Sequence, residues 1–93
     1  MSKRNYDDPQ YKAWRVSVYQ RDKFKCQWPG CKKCKKGLNA HHIKTWAHYP
    51  ILRYDINNGI TLCKAHHKMV TGNEEMYAAS FMKIVLEKKN DRL

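Results

Sequence analysis

The sequence predicts a small α+β fold in which two short strands and a following helix are stapled by a cysteine–histidine knuckle and flanked by a helix at each end. Three observations predict it. Apolar residues recur at helical spacing near both ends, at Tyr11, Trp14, Val18 and Tyr19 and again at Tyr77, Phe81, Ile84 and Val85. Two short runs, Leu38 to Ile43 and Gly59 to Leu62, read as strands. Cys26, Cys31 and Cys34 precede the first run, and Cys63 and His66 follow the second directly.

Asp8-Pro9 opens the first helix, with Asp as N-cap and Pro at the first helical position, where an amide hydrogen has no partner to lose. The apolar stripe is expected to fade by Arg21-Asp22. From Phe24 to Lys36 the pattern is irregular: Trp28-Pro29-Gly30 makes a turn, and lysines surround three cysteines. Lys44 to Asn57 holds aromatics without a sustained period and is expected as a structured loop, with Asn57-Asn58-Gly59 turning into the second strand. A short helix starts near Lys64. Thr71-Gly72-Asn73 breaks it, and Asn73 is placed to cap the last helix. There is no internal repeat. Ninety-three residues predict one domain, 1–93, whose core alone leaves a thin margin of stability, so a disulfide or metal cross-link is expected.

Nineteen Lys and Arg stand against eight Asp and Glu, a formal +11. Such a field attracts polyanions, and nucleic acid is the expected partner, since Lys and Arg displace condensed counterions from phosphates. Lys32, Lys33, Lys35 and Lys36 form a local cluster suited to phosphate contacts, or to a solvated face. An anionic lipid surface fits less well, because no strongly amphipathic basic helix stands out. No apolar run approaches the ~20 residues of a membrane span, and the polar start MSKRNYDDPQ lacks a secretory apolar segment. The expectation is a cytoplasmic protein with reduced thiols. Four Cys and five His in such a chain favour metal over disulfides.

Cys26-x4-Cys31-x2-Cys34 and Cys63-x2-His66 are pairs of pairs: a tight turn and a helix start can bring four N and S donors together tetrahedrally, as structural zinc requires. On spacing alone Cys31 and Cys34 are slightly favoured as the first pair. A second constellation is Asn39-Ala40-His41-His42-Ile43, Asn58-Gly59-Ile60-Thr61-Leu62 and His66-His67. On a strand His41 and His42 point to opposite faces. On a helix His66 and His67 diverge by about 100°. One histidine of the helical pair can therefore hold the knuckle while the other faces a second site.

Several motifs in order resemble the HNH endonucleases, above all small phage-encoded ones: Arg21-Asp22-Lys23-Phe24-Lys25-Cys26, the Pro29-Gly30-Cys31 turn, His41-His42-Ile43, Pro50-Ile51-Leu52-Arg53, and Asn57-Asn58-Gly59-Ile60-Thr61-Leu62-Cys63 leading to His67. The resemblance runs from about Trp14 to Glu75 and implies a ββα-metal (His-Me finger) domain with a zinc knuckle. It implies that His42 is the general base for the attacking water, a task that an ordinary His pKa of about 6.5 suits. It makes Asn58 the residue that steadies the base or its loop, or touches the metal, and His41 and His67 the ligands of one catalytic cation. It also turns the zinc set toward Cys26, Cys31, Cys63 and His66, with Cys34 as the alternative to Cys26. The implied products are 5′-phosphate and 3′-hydroxyl ends, from a nick or a double-strand cut. A phage genome, roles such as packaging or homing, and packaging proteins as partners belong to the same implication.

Where many relatives place a further His, four residues after His67, this chain has Thr71, which favours a weakly held Mg²⁺, Mn²⁺ or similar ion. Arg53 is expected to contact phosphate or to pair with Asp55, and His48 to be solvated or packed. Trp46, Tyr49 and Tyr54 are expected to pack more than to stack on bases. His42 is expected as a surface strand residue whose removal costs little stability. A monomer binding DNA with little sequence selectivity is expected. The competing function is a non-catalytic zinc-knuckle module that binds DNA by charge alone, with His42 idle.

Overall fold

The structure, a computed structural model, describes residues 6–31 and 37–91. Lys32, Lys33, Cys34, Lys35 and Lys36 therefore lie outside the described residues. The order of elements is α1 (Pro9–Arg21), β1 (Asn39–His42), two 3-10 turns (Pro50–Leu52 and Ile56–Asn58), β2 (Gly59–Leu62), α2 (Lys64–Val70) and α3 (Glu74–Asp91). This is the expected α+β arrangement, with β1 shorter by one residue at each end than the apolar run.

Asp8 caps α1 as its position suggests, accepting from the Gln10 amide at 2.8 Å. Its other end closes without glycine. The Lys23 amide donates to Gln20 O at 3.1 Å and the Phe24 amide to Tyr19 O at 2.8 Å, the paired bonds of a Schellman cap. Lys23 and Phe24 adopt φ of +56° and +55° to make them, a left-handed conformation that costs a side-chain-bearing residue about 1–2 kcal/mol.

The strands pair antiparallel in the register Asn39↔Leu62, Ala40↔Thr61, His41↔Ile60 and His42↔Gly59. A lone two-stranded ribbon is marginal in water, and here each face is covered. Ala40 packs with Tyr11, Trp14 and Val18 of α1. Ile60 and Leu62 pack on the other side with Val70, Ala78, Phe81 and Val85 of α2 and α3. Gly59 is needed for this approach: a Cβ there would lie 2.5 Å from Val18 Cγ2 and 2.7 Å from Trp14 Cζ2. Its φ of −126° is open to any residue, so closeness and not conformation demands glycine.

The buried Arg21–Asp22 pair ties α1 to the sheet. Arg21 Nε and Nη2 meet the two Asp22 carboxylate oxygens at 2.9 and 2.8 Å, while Nη1 and Nη2 donate to Ile56 O at 2.7 Å and Gly59 O at 2.6 Å. Asp22 Oδ2 also accepts from the Thr61 amide at 2.9 Å. Removing Asp22 leaves the Arg21 guanidinium buried without its carboxylate, a loss of about 3–5 kcal/mol. Asp22→Ala should therefore lose that much stability in urea unfolding; a loss below about 1 kcal/mol would place the pair outside the cooperative core.

Among the described residues no helix is long and apolar enough to cross a membrane.

Candidate functional site

Two turns converge at the knuckle. Gly30 adopts φ +80°, and the Cys31 amide donates to Trp28 O at 3.0 Å, closing the first turn. The Gln27 amide donates to Thr61 O at 2.9 Å and holds that turn against β2. Cys63 is the residue before α2, and His66 lies within the first turn of α2. Donor atoms of Cys26, Cys31, Cys63 and His66 all lie within 4.8 Å of one another. His66 Nδ1 stands 3.2 Å from Cys63 Sγ and 3.6 Å from Cys26 Sγ. Sulfur and nitrogen ligands on one tetrahedral zinc stand about 3.6 Å apart. The set could hold one metal ion, and its chemistry suits zinc.

The surroundings favour that use. The His66 ring stacks on Trp28, with centroids 4.6 Å apart and planes 4° from parallel, which fixes its orientation. Cys26 and Cys63 are each only 7% exposed. Burial pushes the Cys26 thiol up, and the neighbouring Cys63 sulfur adds to the rise, so a thiolate there calls for a nearby cation. Cys31 is disulfide-bonded in this structure. Ligation needs its thiolate, so the four-donor set belongs to the reduced protein. Cys34, the alternative ligand, lies outside the described residues.

A separate pocket of about 220 Å³ opens between β1, α2 and the start of α3, lined among others by His41, His42, Trp46, His67, Thr71 and Glu74. His41 leaves β1 toward α2 and α3: its ring lies 5.8 Å from that of His67, at 72°, and 5.7 Å from Phe81. A metal bound to an imidazole nitrogen sits roughly 3 Å from the ring centroid, so two rings at this separation are within reach of one ion.

His42 goes the other way, as alternation on a strand requires. It does not sit on the surface as expected: it is 4% exposed and stacks on Trp14, with centroids 3.9 Å apart and planes at 11°. Its Nε2 lies 2.8 Å from the Arg53 carbonyl. A carbonyl only accepts, so Nε2 carries the proton, and in the neutral ring the lone pair is on Nδ1. Burial arises because α1 presses onto the β1–β2 ribbon at Gly59, directly opposite His42.

Asn58 is 1% exposed and spends its amide on the loop after β1. Nδ2 donates to Lys44 O at 3.0 Å and Leu52 O at 3.1 Å, while Oδ1 accepts from the Lys44 amide at 2.7 Å. These bonds tie Asn58 to the loop at Lys44 and Leu52. Arg53 does not pair with Asp55; its Nε donates to Trp46 O at 2.8 Å and its guanidinium lies over the Trp46 ring at 4.3 Å. Asp55 instead caps the second 3-10 turn through the Asn57 amide at 2.8 Å. Trp46 is packed, meeting the edges of His42 and Tyr54. Tyr49 and Tyr54 are more exposed than packing predicts. His48 is exposed and bonds Thr45 Oγ1 at 2.9 Å. Trp14, Trp28 and Glu74 carry no metal-ligand spacing or motif, and sequence reading assigned them no place at either site.

An antiparallel ribbon followed by a short helix, with a Cys₃His cluster that could hold a metal ion and a separate pocket lined by histidines, makes a small ββα domain. The family model for HNH endonuclease matches residues 23–70, just over half of the chain, and the chain belongs to that family. No curated protein and no solved structure matches it.

Proposed function

We propose that this chain is a metal-dependent DNA endonuclease that hydrolyses phosphodiester bonds to 5′-phosphate and 3′-hydroxyl ends. The observation that carries the reading is a pocket lined by His41 and His67, with His42 at its edge from the opposite face of β1, on a ββα unit of the HNH family. His42 receives the proton of the attacking water, its ring held by Trp14 and its Nε2–H by the Arg53 carbonyl. Asn58 positions the loop that carries this carbonyl by bonding Leu52 O and Lys44. His41 and His67 hold a divalent cation such as Mg²⁺ or Mn²⁺. When bound, that ion offsets phosphate charge and stabilises the leaving 3′ oxygen. Cys26, Cys31, Cys63 and His66 hold a structural Zn²⁺. Lys32, Lys33, Lys35 and Lys36 meet phosphates, and Arg53 adds the guanidinium nitrogens beyond Nε. In this reading residues 1–93 act as one monomeric unit in the cytoplasm, that of a bacterial host if the protein is phage-encoded, where packaging proteins would be its partners.

Supercoiled plasmid incubated with Mg²⁺ or Mn²⁺, with EDTA controls, tests the proposal. Nicked or linear DNA should form with the cation and not with EDTA. DNA binding without cleavage under any divalent cation would make the chain a binding module. With about four phosphate contacts, affinity for DNA should fall roughly 10²-fold between 50 and 200 mM salt. A flat fluorescence-anisotropy titration across that range would contradict an electrostatic interface.

A further inference from the structure

We propose that Glu74 is the carboxylate of the cation site, acting through a water of the bound ion. This rests on the reading of the His41–His67 pocket given above. Glu74 is the first residue of α3 and lies beyond the residues that match the family model. The turn Thr71-Gly72-Asn73 brings it to the pocket. Gly72 adopts φ +88° and the Asn73 amide donates to Val70 O at 2.7 Å, so α3 starts beside the end of α2 and Glu74 lines the same wall as His41 and His67.

Three features point to a cation. Thr71, one turn after His67, donates its hydroxyl to His67 O at 2.7 Å and brings no charge to the pocket. Next, the Glu74 carboxylate has no basic side chain within 4 Å among the described residues, whose ion pairs are Arg21–Asp22 and Lys88–Asp22. The α3 N-terminus favours a negative charge at this position, and no described side-chain cation takes up that charge, so it is left facing the pocket lined by His41 and His67. Finally, the carboxylate is already oriented, since both of its oxygens accept from the Gly72 amide at 3.0 Å. Each oxygen keeps acceptor capacity beyond that bond. Among the described residues the knuckle alone gathers three or more His, Cys, Asp or Glu donors within 4.8 Å. Glu74 thus stands outside direct reach of both imidazoles at once, and a coordinated water bridges the gap. Carboxylate and water also suit Mg²⁺ and Mn²⁺ better than imidazole alone does.

The test is Mn²⁺ binding to the zinc-loaded full chain by calorimetry, with melting temperatures measured alongside. Glu74→Gln keeps an acceptor for the Gly72 amide and removes only the charge. It should weaken Mn²⁺ binding about tenfold, the low end for outer-shell partners, with melting unchanged. Glu74→Asp should bind more tightly than Glu74→Gln, and Glu75→Gln should match wild type. If Glu74→Gln binds Mn²⁺ like wild type while His67→Ala does not, Glu74 has no part in the site. Equal losses in Glu74→Gln and Glu75→Gln would reduce the effect to general surface charge and overturn the proposal. If His67→Ala binds Mn²⁺ undiminished, the pocket is not the cation site, and the functional reading falls first.

Discussion

Changing His42 to glutamine is expected to lower plasmid cleavage about 10²–10⁴-fold, the usual loss when a general base is removed, while zinc content and DNA affinity stay in place. Glutamine is the informative substitution. His42 fills a slot against Trp14 and Trp46 and donates to the Arg53 carbonyl at 2.8 Å. Alanine would leave that carbonyl without its donor, at roughly 1–3 kcal/mol, and lose a stacking contact of about 0.5–1.5 kcal/mol. His42→Ala would therefore mix instability with lost chemistry. Glutamine restores a donor and cannot take up the water's proton.

His41→Ala and His67→Ala should also lose activity, but their defect is metal affinity, so high Mn²⁺ should return part of it. No metal should rescue His42→Gln. The deciding measurement is a metal titration of nicking for the three variants, with melting curves for each. Should His42→Gln cut near the wild-type rate, or recover with metal as the others do, base and ligands are wrongly assigned. His42 is then a packing residue of α1 and β1.

Removing the knuckle metal is expected to unfold the chain. Cys26 and Cys63 are not on a detachable flap; they sit in the cluster formed by Ile43, Ile60, Leu62, Val70, Phe81 and Val85. Apparent binding energies for structural zinc are about 10–16 kcal/mol at neutral pH, against total stabilities of about 5–15 kcal/mol for whole domains. Losing the metal also leaves buried thiols facing the His66 ring across 3.2–3.6 Å with nothing between them. One zinc per chain should be found by metal analysis, and chelation should abolish the far-ultraviolet helical signal. Cys63→Ser should fail to give soluble protein, whereas Cys34→Ser should be tolerated. Folded, zinc-free protein after chelation would defeat the idea. Loss of folding in Cys34→Ser would move the ligand set to Cys31, Cys34, Cys63 and His66.

What the amino-acid sequence settles here is short-range. Asp8-Pro9 starts α1 because capping is a matter of two or three residues, and the Asp8–Gln10 bond forms as those residues require. The two strands and α2 fall where the apolar runs and the Cys63 boundary put them, because side-chain alternation needs no distant partner. That same alternation sends His41 and His42 to opposite faces.

Tertiary structure decided the rest. The spacing of the cysteines favoured Cys31 with Cys34, which lies outside the described residues; what the fold adds is the approach of the Trp28 turn to α2, which gathers Cys26 and Cys31 with Cys63 and His66, across as many as 40 residues. Burial of His42 depends on Trp14 lying over it, which in turn needs a bare Cα at Gly59. Arg21 and Asp22 read as the end of a helix, yet they anchor it to Ile56, Gly59 and Thr61. Glu74 reads as an ordinary first-turn acid, and only the fold of the Thr71–Asn73 turn sets it beside the histidines. Contacts between residues so far apart in the chain leave no period and no motif, since each partner's sequence neighbourhood is satisfied with or without the other; closing the chain on itself is what selects them.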